Sequence, residues 1–220
     1  MYKAVIFDLD GVICFTDEYH YLAWKKIADT IGVQFDRKKN NRLRGVSRMD
    51  SLEIILEGCG REFSNKEKQT LAEEKNSLYR EYLRQLTPKD VSEDVRKTLD
   101  SLREGGYRLA VGSSSKNTGF ILDRIGLSDY FDVVSDGNMI TKSKPDPEVF
   151  LKAAELLNMP PKLCVVVEDA AAGAEAARRG GFACAGIGEA AEYPGIEFKL
   201  SKISDLLHCL NVHQVQRGHG

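Results

Sequence analysis

Five short apolar segments rich in β-branched and aromatic residues are typical of buried β-strands. They lie at Tyr2–Phe7, Tyr107–Val111, Phe131–Val134, Leu163–Val167 and Phe182–Ile187. Stretches of helical period alternate with the later segments, at Ser92–Arg103, Lys116–Ile125, Asp146–Leu157 and Ala170–Arg179. This alternation predicts an α/β fold, a parallel sheet covered by helices on both faces.

About a hundred residues without a strand pattern separate the first predicted strand from the second. Helical periodicity occurs there, at Asp17–Ile31, Ser47–Glu57 and Ser64–Leu86, with candidate N-caps at Thr16, Ser47 and Ser64. We therefore predict a helical insertion at residues 16–87, because Pro88 disfavours helix continuation. The α/β core is then discontinuous, made of residues 1–15 and 88–220.

Composition and charge exclude several functional classes. The 31 basic and 33 acidic residues give a formal net charge of −2, which favours neither nucleic acid nor an anionic membrane as a partner. No apolar run approaches the roughly 18 residues of a membrane-spanning helix, and Asp8 interrupts the only N-terminal apolar run. We expect a monomeric cytoplasmic protein whose tail frays from Asn211 onward.

The cysteines are too scattered for a metal or disulfide framework. The chain has five of them and no CxxC pair, so reduced and mostly buried thiols are expected. They are Cys14, Cys59, Cys164, Cys184 and Cys209.

Polar residues follow four of the predicted strands, where a parallel sheet binds its ligands. Asp8 and Asp10 come first, two residues apart, and Ser113-Ser114-Ser115 follows the second strand. Lys144 follows the third strand, and Glu168-Asp169 follows the fourth. Carboxylates that converge on one edge repel each other unless a cation lies among them, and Mg²⁺ prefers such oxygen ligands. The sequence therefore predicts a magnesium site that handles phosphoryl groups.

Each of these features by itself has an ordinary structural explanation. An Asp-x-Asp pair is common in turns, a serine run caps helices, and Glu-Asp before a helix complements the helix dipole. All of them together, in this order and each at a predicted strand end, favour a functional site.

The pattern Asp8-Leu9-Asp10-Gly11-Val12, Ser113, Lys144-Pro145-Asp146-Pro147 and Glu168-Asp169 resembles the haloacid dehalogenase-like superfamily of aspartate-nucleophile phosphotransferases. The resemblance covers essentially the whole chain and implies a Rossmann-like core with a helical cap. It implies that Asp8 is the nucleophile, that Asp10 is the general acid and base, and that Ser113 and Lys144 take part in catalysis. The implied Mg²⁺ ligands are Asp8, the backbone carbonyl of Asp10, and Asp169, with Glu168 in or next to the shell.

The predicted insertion is similar to the cap of the sugar-phosphate mutases in this superfamily. The similarity rests on residues 16–24, the loop 43–48, Lys75-Asn76 and Ser115-Lys116-Asn117. It implies that His20 and Lys75 couple cap closure to the acid–base aspartate. The implied substrate-binding residues are Thr16, Trp24, Arg44, Gly45, Val46, Ser47, Arg48, Lys75, Asn76, Ser114, Ser115, Lys116 and Asn117. Without the resemblance, His20 with Trp24 is an ordinary amphipathic pair, and Arg48 a solvated charge.

The expected activity is the interconversion of β-glucose 1-phosphate and glucose 6-phosphate through a bisphosphate intermediate. A capped sugar-phosphate phosphatase is the alternative, because it uses the same core residues. A catalytically silent binding protein is a third reading, which the presence of Asp8 and Lys144 disfavours. Three positions depart from the family pattern: Phe15 and Ala170 stand where aspartate and serine are usual, and Arg44 stands where the mutases carry lysine.

Overall fold

The computed structural model describes residues 1–212 and confirms the α/β architecture. The described chain contains one parallel sheet of six strands in the order β3-β2-β1-β4-β5-β6. The strands are Ala4–Phe7 (β1), Arg108–Gly112 (β2), Val133–Ser135 (β3), Cys164–Glu168 (β4), Ala183–Ile187 (β5) and Phe198–Leu200 (β6). The strand order reverses between β1 and β4, and such a point is where an open parallel sheet forms its ligand crevice.

Helices cover both faces of the sheet, as predicted. They are Asp17–Thr30 (α1), Arg37–Asn41 (α2), Arg48–Leu56 (α3), Asn65–Leu83 (α4), Glu93–Glu104 (α5), Thr118–Arg124 (α6), Glu148–Leu156 (α7), Ala171–Arg179 (α8) and Asp205–Cys209 (α9). No described helix combines the length and the apolar character needed to cross a bilayer. The predicted helices are all present within a few residues of their expected bounds.

Three of the α-helices and strands given above were absent from the predictions. Helices α2 and α9 have five residues each and β6 has three, too short to show a hydrophobic period. Residues 213–220, most of the tail expected to fray, lie outside the described residues. All five cysteines are free, and three of them are buried.

The sheet separates two apolar clusters because side chains alternate along each strand. Val5 and Phe7 of β1 belong to the cluster under α5, α6 and α9, whereas Ala4 and Ile6 belong to the cluster under α7 and α8. All four residues are fully buried, so β1 is the centre of the molecule. A side chain that leaves the carboxyl end of β1 is therefore fixed in position.

Helices α1–α4, residues 16–87 with their connections, are called the cap helices below. They have an apolar cluster of their own that includes Trp24, Leu52 and Ile55, all nearly inaccessible to solvent. The second half of α4 differs, because Tyr79 and Leu83 pack into a cluster of the sheet. The separate cluster supports the proposed cap domain, and α4 is the element that ties it to the core.

Candidate active site

Three carboxylates meet at the carboxyl ends of β1 and β4. Phe7 is paired with Val167, and the Asp8 amide donates to the Val167 carbonyl at 2.9 Å, which places Asp8 beside Glu168. Ligand oxygens of Asp8, Glu168 and Asp169 all lie within 4.8 Å of one another. The convergence expected from the strand ends is therefore present.

Lys144 lies against two of these carboxylates. Its Nζ donates to Asp8 Oδ1 at 2.5 Å and also to Glu168 Oε1, and its side chain is only 1% exposed. Burial would lower the pKa of Lys144, but the two carboxylates outweigh burial and raise it above its usual range. Lys144 is thus a permanent positive charge beside Asp8.

One lysine does not neutralise three buried acids. Burial and the charge of Glu168 raise the pKa of Asp8 to about 7, against the lowering effect of Lys144. Burial, Glu168 and Asp8 raise the pKa of Asp169 to about 8. The raised pKa values show that the ionised forms of these two acids are disfavoured without a further cation. A bound cation would stabilise the ionised forms, so the donor set fits Mg²⁺.

The oxygens of Glu168 are already used by the protein. Oε2 accepts from the amides of Asp169 and Ala170 at 2.9 and 3.0 Å, while Oε1 accepts from Lys144. Asp8 and Asp169 therefore fit a metal better than Glu168, which fits a place next to the metal shell. The expected role of the Asp10 carbonyl stays a prediction.

Two glycines leave the space that these carboxylates fill. Gly11 has φ +81°, and a Cβ on it would lie 2.0 Å from Asp169 Oδ2. A Cβ on Gly173, in the first turn of α8, would lie 1.8 Å from Glu168 Oε1. Any side chain at either position would displace a carboxylate.

Asp10 is held by Thr16 rather than by the three-carboxylate group. Its Oδ1 accepts from the Thr16 amide at 3.1 Å and from the Thr16 hydroxyl, which also lies 2.8 Å from Tyr79 Oη. Burial raises the pKa of Asp10, but the nearby His20 and the hydrogen bonds from Thr16 outweigh burial and lower it. The prediction that the Thr16 side chain caps α1 is wrong: it makes no capping hydrogen bond, because its hydroxyl is bonded to Asp10 and Tyr79.

His20 and Lys75 connect Asp10 to the cap helices. His20 Nε2 lies 3.8 Å from Asp10 Oδ2, and Lys75 Nζ lies 2.8 Å from His20 Nδ1. Burial lowers the pKa of His20 and that of Lys75. The charge of Lys75 lowers the His20 pKa further, and the charge of Arg48 lowers the Lys75 pKa further. Lys75 Nζ also lies over the rings of Trp24 and Tyr79, at 5.1 and 4.3 Å from their centroids. Tyr79, which the sequence predictions missed, follows Lys75 by one turn of α4.

A cleft of about 1200 Å³ separates the sheet edge from the cap helices. All the predicted site residues line it except Thr16 and Asn76. Thr16 is fully buried behind Asp10, and the Asn76 side chain accepts from Asn117 Nδ2 at 2.9 Å. These two residues position others and do not face the cleft.

Two cations, one from the cap helices and one from the core, line the cleft outside the ion pairs described above. Within residues 1–212, Arg48 and Lys116 line the cleft and form no ion pair. Burial lowers the pKa of Arg48, although the guanidinium stays charged at neutral pH. Ser47 begins α3 as predicted, its hydroxyl accepting from the Asp50 amide at 3.2 Å. Arg48 and Lys116 therefore suit the binding of an anion in the cleft.

The serine segment differs from the expected helix entry. Helix α6 begins only at Thr118, after two hydroxyl–amide bonds within the segment. Ser113 Oγ accepts from the Ser115 amide at 3.2 Å, and Ser115 Oγ accepts from the Asn117 amide at 3.1 Å. The described chain offers the buried Ser114 hydroxyl no hydrogen-bond partner. The segment therefore offers fewer amides to a phosphate than expected.

Arg44 and its neighbours in the loop before α3 also reach the cleft. Gly45 and Val46 line it as predicted, but the Arg44 guanidinium contacts Asp17 and Asp169. The resemblance implied a substrate-binding role for Arg44, and in this structure the partners of Arg44 are protein carboxylates.

Known proteins share this arrangement of sequence and fold. A family model described as haloacid dehalogenase-like hydrolase matches residues 2–181. The β-phosphoglucomutase of Bacillus subtilis is 42% identical over 206 residues, covering 93% of this chain and 91% of that protein. The phosphorylated carbohydrates phosphatase of Thermotoga maritima is 32% identical over 182 residues, covering 81% and 82%.

A solved structure gives the same picture. The crystal structure of β-phosphoglucomutase from Clostridium difficile matches with a TM-score of 0.91 at 36% identity, covering 96% of each chain. The resemblance inferred from the strand-end motifs is thereby confirmed. The chain is a member of the haloacid dehalogenase-like hydrolase family with marked similarity to its β-phosphoglucomutases.

Proposed function

We propose that this protein is a Mg²⁺-dependent β-phosphoglucomutase. It interconverts β-D-glucose 1-phosphate and D-glucose 6-phosphate through an aspartyl-phosphate enzyme and β-glucose 1,6-bisphosphate. One observation carries the proposal: a single cleft contains both a carboxylate-rich edge and two cations that form no ion pair within residues 1–212. The carboxylates lie around Asp8 at the sheet edge, and the two cations are Arg48 of the cap helices and Lys116 of the core. A bisphosphate needs both kinds of group.

The sheet edge supplies the nucleophile. Asp8 attacks phosphorus, and Lys144, 2.5 Å from its Oδ1, offsets charge on the phosphoryl oxygens. Asp8 and Asp169 would hold Mg²⁺, with the Asp10 carbonyl as a further ligand and Glu168 beside the shell. When bound, the ion supplies positive charge that keeps Asp8 ionised and neutralises the transferring group.

Asp10 moves the proton in both halves of the reaction. The first half begins with phosphorylated Asp8 and bound β-glucose 1-phosphate. The 6-hydroxyl of the sugar gives its proton to Asp10 as its oxygen takes the phosphoryl group from Asp8. The bisphosphate then reorients. In the second half Asp8 takes the phosphoryl group from O1, and Asp10 returns the proton to that oxygen. His20, near Asp10 and bonded to Lys75, would link this acid–base group to cap closure.

Arg48 of the cap, together with Ser115, Lys116 and Asn117 on the core side, holds the phosphate that is not reacting. Arg48 offers a planar fork suited to two phosphate oxygens, and Lys116 adds a point charge. Ser115 and Asn117 lie along the same cleft. Because these groups serve either phosphate in turn, the site supports two orientations of the bisphosphate.

A capped sugar-phosphate phosphatase is the second candidate function, favoured by the similarity to the Thermotoga maritima phosphatase. It uses the same aspartyl phosphate, which water attacks in place of a sugar hydroxyl. The two activities differ only in the acceptor, so product analysis separates them.

The test is a coupled assay with purified protein, Mg²⁺, β-glucose 1-phosphate and a trace of bisphosphate primer. Glucose 6-phosphate and free phosphate are measured in parallel. Glucose 6-phosphate with little free phosphate, lost in Asp8→Asn, supports the mutase. Free phosphate without glucose 6-phosphate identifies the phosphatase and overturns the mutase. Neither product, with any tested sugar phosphate, overturns both.

The setting of the enzyme follows from the same features. Five free cysteines suit a reducing compartment, so we place the enzyme in the cytoplasm. We further propose a monomer as the functional unit.

A further inference from the structure

Arg44 extends from the cap helices to the catalytic edge of the sheet. Its guanidinium contacts the carboxylates of Asp17 and Asp169, the second at 3.0 Å. Asp17 begins α1, whereas Asp169 follows β4. A single side chain therefore joins the cap to a proposed metal ligand.

The loop that carries Arg44 lies close to the core. Gly45 has φ +75°, and a Cβ on it would lie 3.6 Å from Ala172 Cβ and 3.7 Å from Lys144 Cδ. A second contact across the cleft runs from Ser143 Oγ to Asp50 Oδ2, at 2.8 Å. The Arg44 ion pair is thus part of a closed contact between this loop and the core.

Asp169 has one cationic partner in the described chain. Among residues 1–212, only Arg44 forms an ion pair with it. Lys144, the other cation at this edge, pairs with Asp8 and Glu168. Arg44 therefore supplies at Asp169 the positive charge that the crowded carboxylates lack.

We propose that Arg44 is the internal counter-ion of Asp169 in the metal-free protein, and that Mg²⁺ competes with its guanidinium for this carboxylate. This inference rests on the metal site of the proposed function. Two cations against one partly buried carboxylate repel each other, so metal binding releases Arg44 from Asp169. Asp17 remains as its partner, which limits the cost of release.

Release has a structural consequence. The Arg44–Asp169 pair is one of the polar contacts that hold the loop against the core. Its loss on metal binding loosens residues 43–47 and eases entry of a sugar phosphate to the cleft. Metal binding and cleft opening are then two sides of one equilibrium, and each favours the other.

The test is calorimetric titration of Mg²⁺ into wild type, Arg44→Gln and Arg42→Gln, without substrate. Arg42 is a matched control, since it lies two positions earlier and pairs with Glu57 on the exposed cap surface. Arg44→Gln is expected to bind Mg²⁺ about tenfold more tightly than wild type, because a competing charge is gone. Arg42→Gln is expected to match wild type.

Each outcome decides one claim. Equal or weaker Mg²⁺ binding by Arg44→Gln overturns the competition but leaves the metal site intact. No Mg²⁺ binding by wild type overturns the metal site, and with it this inference and the metal dependence of the proposed function.

A measurement on wild type alone guards against misfolding of the variant. Amide hydrogen exchange in residues 43–47 is expected to be faster with saturating Mg²⁺ than without it. Slower or unchanged exchange overturns the release of the loop.

Discussion

The two walls of the cleft differ in how their charges are satisfied. On the sheet edge, Lys144 is fully buried and bonded to Asp8 and Glu168. On the cap side, Arg48 lines the cleft and has no ion-pair partner in the described chain. Lys144 of the core is thus paired within the protein, whereas Arg48 of the cap is left for a ligand.

This contrast indicates which residues contribute to stability as well as to catalysis. A buried ion pair that loses one partner leaves an uncompensated charge, which destabilises the fold. A cation that faces a cleft has no such partner to lose. Substitutions on the core wall are therefore expected to affect folding and catalysis together, and those on the cap wall to affect substrate binding alone.

The largest effect is expected at Asp8. Asp8→Asn removes the proposed nucleophile, so kcat should fall by about 10⁴-fold or more. Asp123→Asn, an exposed acid on α6, is the control and should keep wild-type activity. Steady-state assays of glucose 6-phosphate formation measure both. Substantial activity in Asp8→Asn would assign the nucleophile to another residue.

Lys144 tests the paired wall. Lys144→Met leaves Asp8 and Glu168 without their shared cation, so the free energy of unfolding should fall by about 3–5 kcal/mol at pH 8. Denaturant unfolding of the metal-free protein measures it. Lys97→Met, which breaks an exposed pair with Glu93, should cost less than about 1 kcal/mol. Equal costs for the two variants would mean that the core pairing has no special weight.

Arg48 tests the unpaired wall. Arg48→Gln should lower kcat/KM by about 10²-fold, since the proposed bidentate contact to the distal phosphate is lost. Its melting temperature should stay at the wild-type value. Arg61→Gln, an exposed cap arginine paired with Glu67, should leave both quantities unchanged. A drop in stability without a change in kcat/KM would make Arg48 a structural residue.

The smallest expected effect is a pH dependence of stability in the metal-free protein. The pKa of Asp169 is raised to about 8, so the folded state binds its proton more tightly than the unfolded state does. Its contribution is therefore present at low pH and is lost as the pH rises from about 4 to about 8.

Thermal melts of wild type and Asp169→Asn measure this contribution. Between about pH 5 and pH 8, the melting temperature of wild type should fall by about 5 °C more than that of the variant. His20, whose lowered pKa acts in the opposite sense, is present in both proteins and cancels in the comparison. Parallel pH profiles of the two proteins would show that the pKa of Asp169 is not raised in the folded state.

The core wall could be predicted from the sequence because its position depends on strand ends. A parallel sheet brings those ends to one edge, and the pairing of β1 with β4 then sets Asp8 beside Glu168. The apolar period of the strands was enough to predict the common edge, whereas the structure supplied the pairing of β1 with β4. The α/β class and the helices on both faces followed from the same periodicity.

The cap wall needed the structure because its contacts join residues far apart in the chain. Tyr79 meets Thr16 across 63 positions, and Arg44 meets Asp17 across 27. No local pattern marks such pairs. The wrong prediction that Thr16 is the N-cap of α1 has the same cause. Local preference favours a hydroxyl at a helix N-terminus, but the Thr16 hydroxyl bonds tertiary partners instead.

Gly11 and Gly173 extend the description of this site to what it excludes. Both positions are defined by unfilled volume, within 2.0 Å or less of carboxylate oxygens if a Cβ were added. A relative that keeps the acids and the lysine but carries a larger residue at either position has the catalytic side chains without the space that their arrangement requires. Presence of a motif is then insufficient evidence of activity, and two missing side chains become a sequence criterion for a working site.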